Sequence, residues 1–447
     1  MSHSVCPIVA LVGRPNVGKS TLFNRLTRSN RAIVDPTPGV TRDRAYEVVR
    51  WEDRDVILVD TGGIEPAAGD DFSAQVTGQT RQAVAEADLV VLILDGREGA
   101  LPQDHRIAGE LRRTGKPLLV AVNKIDGPEM EEAGLGACYE LGIGELVPIS
   151  AEHGYGIRSL LETLRSRLPA AGTEPPLPAA TIRVACVGRP NVGKSSLVNR
   201  LLGEERMIVS QVPGTTRDSV DTLLVRDEQA YLLVDTAGIR RRGKVQEKLE
   251  KFSVLKSLQS LARADIALVL LDAGEGITDQ DTRVIGHALE RGRALIILIN
   301  KWDLLRNDPA GQRRLRDELD RQTAFVDYVP RLFISALTGK GVGEILPAVQ
   351  KVFRQFNAHF GTGPLNRLLK EAVAAHSPPL HQGRRLRLYY TTQTDTRPPT
   401  FTVFANQPDG IHFSYHRFLV NRFREGLGLS DCPVRVLLRE RPRRQRP

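Results

Sequence analysis

Short, nearly unbroken apolar runs recur along the first three quarters of this chain, and most end on a polar residue. Residues 7–13, 55–60, 89–95 and 118–123 are four such runs, and residues 182–188, 230–235, 266–272 and 295–300 are four more. Runs this short, apolar at both odd and even positions, predict strands buried on both faces. Helical spacing lies between them, with Leu22 and Leu26 in the first set matched by Leu197 and Leu201 in the second. Strands alternating with helices predict an α/β fold with a doubly wound, mostly parallel sheet, built twice over. Ligands of such sheets bind beyond the carboxyl ends of the strands, where the polar residues of these runs fall.

From residue 356 the pattern changes. A helix is predicted over 364–375, stopped by Pro378-Pro379, and alternating stretches 385–392 and 400–405 read as strands. Leu419, Phe423 and Leu427 recur at four-residue steps, as in a helix with one buried face, and 434–438 is a last strand. The result is a small α+β domain of order α-β-β-α-β. Four prolines without periodicity mark residues 169–181 as an extended linker, reaching at most about 40 Å at the polyproline rise. The domains expected are therefore 1–168, 182–355 and 356–438, with a tail at 439–447.

Composition narrows the classes. No apolar run approaches the roughly 20 residues of a membrane span, and the N-terminal residues lack the pattern of a secretory signal. The four cysteines form no C-x-x-C pair, which predicts core thiols in a reducing compartment and a cytoplasmic protein. No membrane partner is expected from runs this short, and the chain is expected as a monomer. The net charge of +9 is concentrated: residues 364–447 hold 15 Lys and Arg against 6 Asp and Glu, and the rest of the chain is balanced. Such a block points to a polyanionic partner, the alternative being a solubilising face.

Two strand ends carry the same eight residues. Gly13-Arg14-Pro15-Asn16-Val17-Gly18-Lys19-Ser20 returns 175 positions later as Gly188-Arg189-Pro190-Asn191-Val192-Gly193-Lys194-Ser195. This is the phosphate-binding G-x-x-x-x-G-K-[ST] loop, whose glycines turn backbone N–H groups onto phosphate oxygens at a helix N-terminus. Lys19 and Lys194 suit the β- and γ-phosphates, and Ser20 and Ser195 offer hydroxyls to Mg²⁺. At the same offset follow Asp60-Thr61-Gly62-Gly63 and Asp235-Thr236-Ala237-Gly238, an aspartate for the metal's water shell and a glycine N–H for the γ-phosphate. Thr41 and Thr216, again 175 apart, are placed to complete the Mg²⁺ shell only when a γ-phosphate is present.

Base identity is carried by Asn123-Lys124-Ile125-Asp126 and Asn300-Lys301-Trp302-Asp303. The carboxylate accepts from the N1–H and exocyclic amine of guanine, a donor pair adenine lacks. Ser150-Ala151 and Ser335-Ala336 each supply a backbone N–H for the guanine oxygen. The substrate read from this set is GTP, with an adenylate-specific ATPase as the distant alternative. Where many GTPases keep a water-orienting glutamine, Ile64 and Ile239 stand, so intrinsic hydrolysis is expected to be slow unless Asn16 and Asn191 contribute. The catalytic candidates are thus Asn16, Lys19, Thr41 and Gly63 with Asn191, Lys194, Thr216 and Gly238. Arg240-Arg241-Arg242-Gly243-Lys244 follows the second D-x-x-G and Glu65-Pro66-Ala67-Ala68 the first, so the sites are duplicated without being equivalent. The basic stretch has three readings: an RNA contact, a dock for an acidic surface, or a solvated loop.

These motifs, with Leu365-Asn366-Arg367-Leu368-Leu369, Pro398-Pro399-Thr400-Phe401 and Arg422-Phe423-Arg424, resemble the EngA (Der) family of bacterial GTPases over nearly the whole chain. The resemblance implies two tandem G domains, a K-homology-like terminal domain, and a role in assembly of the large ribosomal subunit. It also implies that Asn16 and Asn191 hold a K⁺ ion in place of an arginine finger. A K-homology domain grips RNA through a G-x-x-G loop, and residues 364–447 contain none. Arg384, Arg385, Arg387, Arg417, Arg422 and Arg424 accordingly favour backbone contacts to rRNA. The alternative function is a GTP-sensing RNA-binding scaffold in which hydrolysis is incidental.

Overall fold

A computed structural model describes residues 6–28, 46–51, 54–63, 76–169, 177–178, 180–203, 208–213, 220–236, 254–381 and 383–440. The first sheet has six strands in the order Tyr46–Trp51, Arg54–Asp60, Ile8–Val12, Leu89–Asp95, Leu118–Asn123, Leu146–Pro148. All neighbours run parallel except Tyr46–Trp51, which is antiparallel to Arg54–Asp60. The second sheet repeats this order from Arg331–Phe333 through Ala294–Asn300, Ile266–Asp272, Ile182–Val187, Gln229–Val234 and Val220–Arg226 to a seventh strand, Ile208–Pro213. Its last two strands are antiparallel additions.

The uniformly apolar runs follow from helices on both faces. Every residue of Leu89–Asp95, Ile266–Asp272 and Ala294–Asn300 is buried. Alternate residues of one strand serve different cores. Val9, Leu11, Val91 and Ile93 pack with Leu22, Leu26, Leu160 and Leu164 on one side, and Ile8, Ala10, Val12 and Leu92 pack with Ala83, Val84, Ala108 and Leu111 on the other. Truncating Leu22 at such a seam costs about 2–5 kcal/mol.

Contacts divide the described residues into two units. One holds the first sheet and takes in residues 254–262, whose Leu255, Leu258 and Ala262 lie in the core that contains Cys6 and Ala83. The other holds the second sheet together with the C-terminal domain. There, Leu388–Asp395, Thr400–Ala405 and Arg435–Glu440 form a three-stranded sheet, antiparallel then parallel, with helices Thr362–Ala375 and Phe413–Gly426. The second helix begins six residues before the periodic Leu419, because His412 caps it through its ring and Ser414 N–H. Phe401 stacks on Phe423 at 5.0 Å, and both belong to the cluster that also contains Leu268 and Leu298 of the second sheet. Arg397 fastens the joint: its Nε donates to Asn357 at 2.8 Å, its Nη1 pairs with buried Asp265 at 3.5 Å, and its guanidinium lies over Phe353.

Cys6, Cys138 and Cys432 are buried free thiols, and burial pushes Cys138 up to about 11 and Cys432 to about 12. Among the described residues, no helix is long and apolar enough to cross a membrane.

Candidate functional site

At the carboxyl end of each central strand the eight-residue loop closes on itself in the same way. Gly18 and Gly193 lie at φ +96° and +98°, and a Cβ on either would stand 2.2 Å from the side-chain nitrogen of Asn123 or Asn300. Asn16 and Asn191 are also left-handed, at φ 64° and 61°, and exposed. Val17 and Val192 are buried beneath the loops. Lys19 Nζ donates to the carbonyls of Gly13 at 2.7 Å and Arg14 at 2.8 Å, and Lys194 repeats this with Gly188 and Arg189 at 2.7 and 2.5 Å. Ser20 and Ser195 follow at the first turn of helices Lys19–Arg28 and Lys194–Leu202. A Cβ on Gly62 would lie 2.8 Å from Lys19 Cε, so the D-x-x-G turn of the first repeat abuts its phosphate loop.

The base-side motifs are tied to the loops by one amide in each repeat. Asn123 Nδ2 donates to Val17 O at 2.7 Å, and Asn123 Oδ1 accepts from Ala151 N–H at 2.8 Å. Asn300 does the same with Val192 O at 2.7 Å and Ala336 N–H at 2.9 Å. Within the Ser-Ala pairs expected to serve the guanine oxygen, the alanine N–H groups donate to the asparagines. Lys124 and Lys301, both left-handed, pair with the strand-end carboxylates Asp95 and Asp272 at 2.5 and 2.6 Å. Asp95 loses solvation by burial, yet the hydrogen bond from Lys124 holds it below the usual carboxylate range.

The two repeats then diverge. Asp126 Oδ1 accepts from the Ser150 hydroxyl at 2.7 Å and Oδ2 from Arg97 at 2.8 Å, and these hold its carboxyl below the usual range, the Ser150 bond first. Gly274 stands where Arg97 would be, and Asp303 Oδ1 is buried with no hydrogen-bond partner among the described residues. Ile125 is buried, whereas Trp302 packs tilted on Phe333 at 4.4 Å with Arg316 beside both rings. Asp60 accepts from Gly62 N–H at 2.9 Å and Thr61 donates to Leu11 O at 2.7 Å. Asp235 instead sits at φ 58°, its N–H donating to Asp221 at 2.9 Å, and Thr236 shares a hydrogen bond with Thr222 at 2.7 Å. Thr41, Ile64, Thr216, Ala237, Gly238, Ile239 and the basic stretch 240–244 lie outside the described residues; Gly63 closes the short turn Thr61–Gly63.

Comparison with known proteins follows the same division. Residues 8–124 and 183–301 each match the family of 50S ribosome-binding GTPases, and residues 359–439 match the KH-domain-like C-terminal region of EngA bacterial GTPases. The GTPase Der of Syntrophotalea carbinolica is 48% identical over 438 residues, covering 98% of this chain and 100% of its own. Those of Geotalea daltonii and Syntrophobacter fumaroxidans are 47% and 49% identical over 440 residues each, covering 98% of this chain and 99% and 98% of theirs. The chain belongs to the Der GTPase family. It is a GTP-binding, GTP-hydrolysing enzyme, with the G-domain match occurring twice.

In this Der-family chain several side-chain contacts at the sites are marked by no motif. Arg14 and Arg189 turn away from the loop interior: Arg14 Nε pairs with buried Asp104 at 3.1 Å and Nη2 with Glu98 at 2.7 Å, and Arg189 pairs with Asp281 at 3.0 Å and Glu275 at 2.7 Å. Asp104 and Asp281 also cap their own helices through the N–H of Leu101 and Thr278. Burial pushes Asp281 above the usual range despite the Thr278 bonds. Arg25 and Arg200 hold the Ser-Ala turns, Arg25 Nε donating to Ala151 O at 2.5 Å and Arg200 Nε to Ala336 O at 3.3 Å. The signal was in the sequence, since Asn-Arg recurs four residues past each Ser at the constant offset.

Proposed function

We propose that this GTPase is a cytoplasmic, monomeric two-site switch acting in maturation of the large (50S) ribosomal subunit, with G domains at 1–168 and 182–355, a linker at 169–181, a K-homology-like domain at 356–438 and a basic tail at 439–447. The observation that carries the reading is the twice-built link from loop carbonyl through asparagine to Ser-Ala turn, which puts phosphate grip and base grip on one strand end. The match of both repeats to 50S ribosome-binding GTPases supports the partner.

The donor set fits GTP. Asp303 Oδ1 is a buried acceptor without a partner among the described residues, which is what a guanine N1–H would satisfy. Lys19 and Lys194 neutralise β- and γ-phosphate charge, the backbone N–H groups of residues 13–20 and 188–195 other than Pro15 and Pro190 hold the oxygens, and Gly63 and Gly238 N–H groups orient the γ-phosphate. Ser20, Thr41 and Asp60, with Ser195, Thr216 and Asp235, suit Mg²⁺, which takes few protein ligands beside phosphate oxygens; no cluster of three acidic, His or Cys side chains stands among the described residues to hold another metal. Asn16 and Asn191 offer exposed amide oxygens suited to K⁺. When bound, these cations offset charge developing on the phosphate oxygens. Water attacks the γ-phosphorus, the bond to the β–γ bridging oxygen breaks, and GDP and phosphate leave.

The test is GTP titration and release. Two GTP per chain, faster turnover in K⁺ than in Na⁺, and retention on 50S particles with a non-cleavable analogue support the reading. One GTP per chain would mean a dead site, equal turnover in the two salts would remove the K⁺ role, and normal release with the analogue would leave a scaffold.

A further inference from the structure

The C-terminal sheet has two unlike ends. At one, Arg397 and Arg435 reach Asp265 and the Glu290 carbonyl of the preceding G repeat. At the other, where Leu388 pairs with Ala405 and Ala405 with Glu440, the strands meet solvent. Tyr390, Phe404 and Arg439 occupy one row across the three strands at this end. Tyr390 stacks on Phe404, centroids 4.4 Å apart and planes 17° apart, and is still 38% exposed. Asn406 clamps the approach: its Oδ1 accepts from Arg387 N–H at 2.9 Å and its Nδ2 donates to Arg385 O at 3.1 Å. Arg385, Arg387 and Arg439 are exposed, with Glu440 the acidic residue beside them, and four more arginines follow in residues 441–447 of the sequence.

An exposed aromatic ring stacked on a second ring, with an exposed arginine in the same row and two more on the segment leading into its strand, is the chemistry that receives an unpaired base with its phosphates. A protein with an acidic surface would use the charges and leave the ring idle. We propose that this sheet end is a stacking site for an unpaired nucleotide of structured RNA, with Tyr390 as the platform and Arg385, Arg387 and Arg439 on the flanking phosphates. The proposal rests on the ribosomal-RNA partner proposed above. It gives the domain a grip that needs no G-x-x-G loop and tolerates any base, because every base has a π-face.

The full chain is titrated with a fluorescein-labelled single-stranded 12-nucleotide RNA and with a blunt duplex of equal length, across a salt series. Tyr390→Ala should weaken the single strand about 5- to 150-fold while leaving the duplex and the salt slope unchanged, and Tyr390→Trp should keep or tighten it. Arg385→Gln with Arg387→Gln should weaken both RNAs and flatten the single-strand salt slope by about 1.4. GTP turnover of each variant reports folding and should not change. Undiminished single-strand binding by Tyr390→Ala, or an equal loss for the duplex, would overturn the stacking site while the RNA partner stands. Failure of the unaltered chain to bind either RNA, with capture of an acidic protein instead, would overturn the partner itself.

Discussion

Arg263 forms a buried ion pair with Asp221, and Asp221 also accepts the N–H of Asp235, the aspartate of the second D-x-x-G, at 2.9 Å. At the matching positions of the first repeat stand Glu86 and Tyr46. The side chains of Arg263 and Asp221 are 7% and 3% exposed, so neither charge has water as a fallback. Asp235 is left-handed at φ 58°, a conformation aspartate adopts at some cost, and the Asp221 carboxylate holds it there. Arg263→Ala should therefore destabilise the second unit by about 3–5 kcal/mol, the penalty for stranding a buried charge. Turnover at the second site should fall with it and turnover at the first should not. Differential scanning calorimetry, with single-site turnover in chains carrying Asp126→Asn or Asp303→Asn, separates the two effects. Equal losses at both sites would refute the coupling.

Asp126→Asn and Asp303→Asn should each abolish one guanine site and spare the other, lowering the GTP stoichiometry by one. An asparagine amide donates where guanine donates too, but it matches the 2-carbonyl of xanthine. Each variant should therefore gain one xanthosine triphosphate site, which equilibrium dialysis can count.

The depressed carboxyl of Asp126 makes a prediction about pH. Its folded-state pKa lies below the ordinary carboxylate value of about 3.9, so the ionised, guanine-accepting form is complete at neutral pH and is lost only as pH falls through the depressed value. Removing the hydroxyl that holds it, in Ser150→Ala, should shift the loss of GDP affinity at the first site to higher pH. Fluorescence titration with labelled GDP from neutral pH downward measures this, and an unshifted midpoint would count against the Ser150 contact.

Trp302 lies inside the second N-K-x-D motif, while Trp51, the other tryptophan, is buried in an edge strand of the first sheet. Nucleotide binding at the second site should change intrinsic tryptophan emission. The change should survive Trp51→Phe and vanish in Trp302→Phe, giving a readout of one site in a two-site enzyme.

Much of this was legible in the chain because strands covered on both faces leave no polar positions to blur the pattern, and because phosphate and guanine chemistry fixes residue types at fixed spacing. The antiparallel strands Tyr46–Trp51, Val220–Arg226 and Ile208–Pro213 were not legible. Tyr46–Trp51 is a partly exposed edge strand that pairs only with Arg54–Asp60 among the described strands. Arg14 shows the other limit. The partners of its guanidinium, Glu98 and Asp104, lie more than 80 residues on and are marked by no motif. One part of the asymmetry between Asp126 and Asp303 is likewise that an arginine follows the neighbouring strand in one repeat and a glycine in the other, which spacing alone does not rank.

A single asparagine side chain braces the phosphate loop against the Ser-Ala turn in each repeat. With the nucleotide bound as proposed, its two halves would be held by one clasp. A disturbance that shifts the end of strand Leu118–Asn123 or Ala294–Asn300 loosens triphosphate and base together, so release should proceed as one event without a half-held intermediate. An exchange factor or a ribosomal contact would need to push at only that strand end to empty the site.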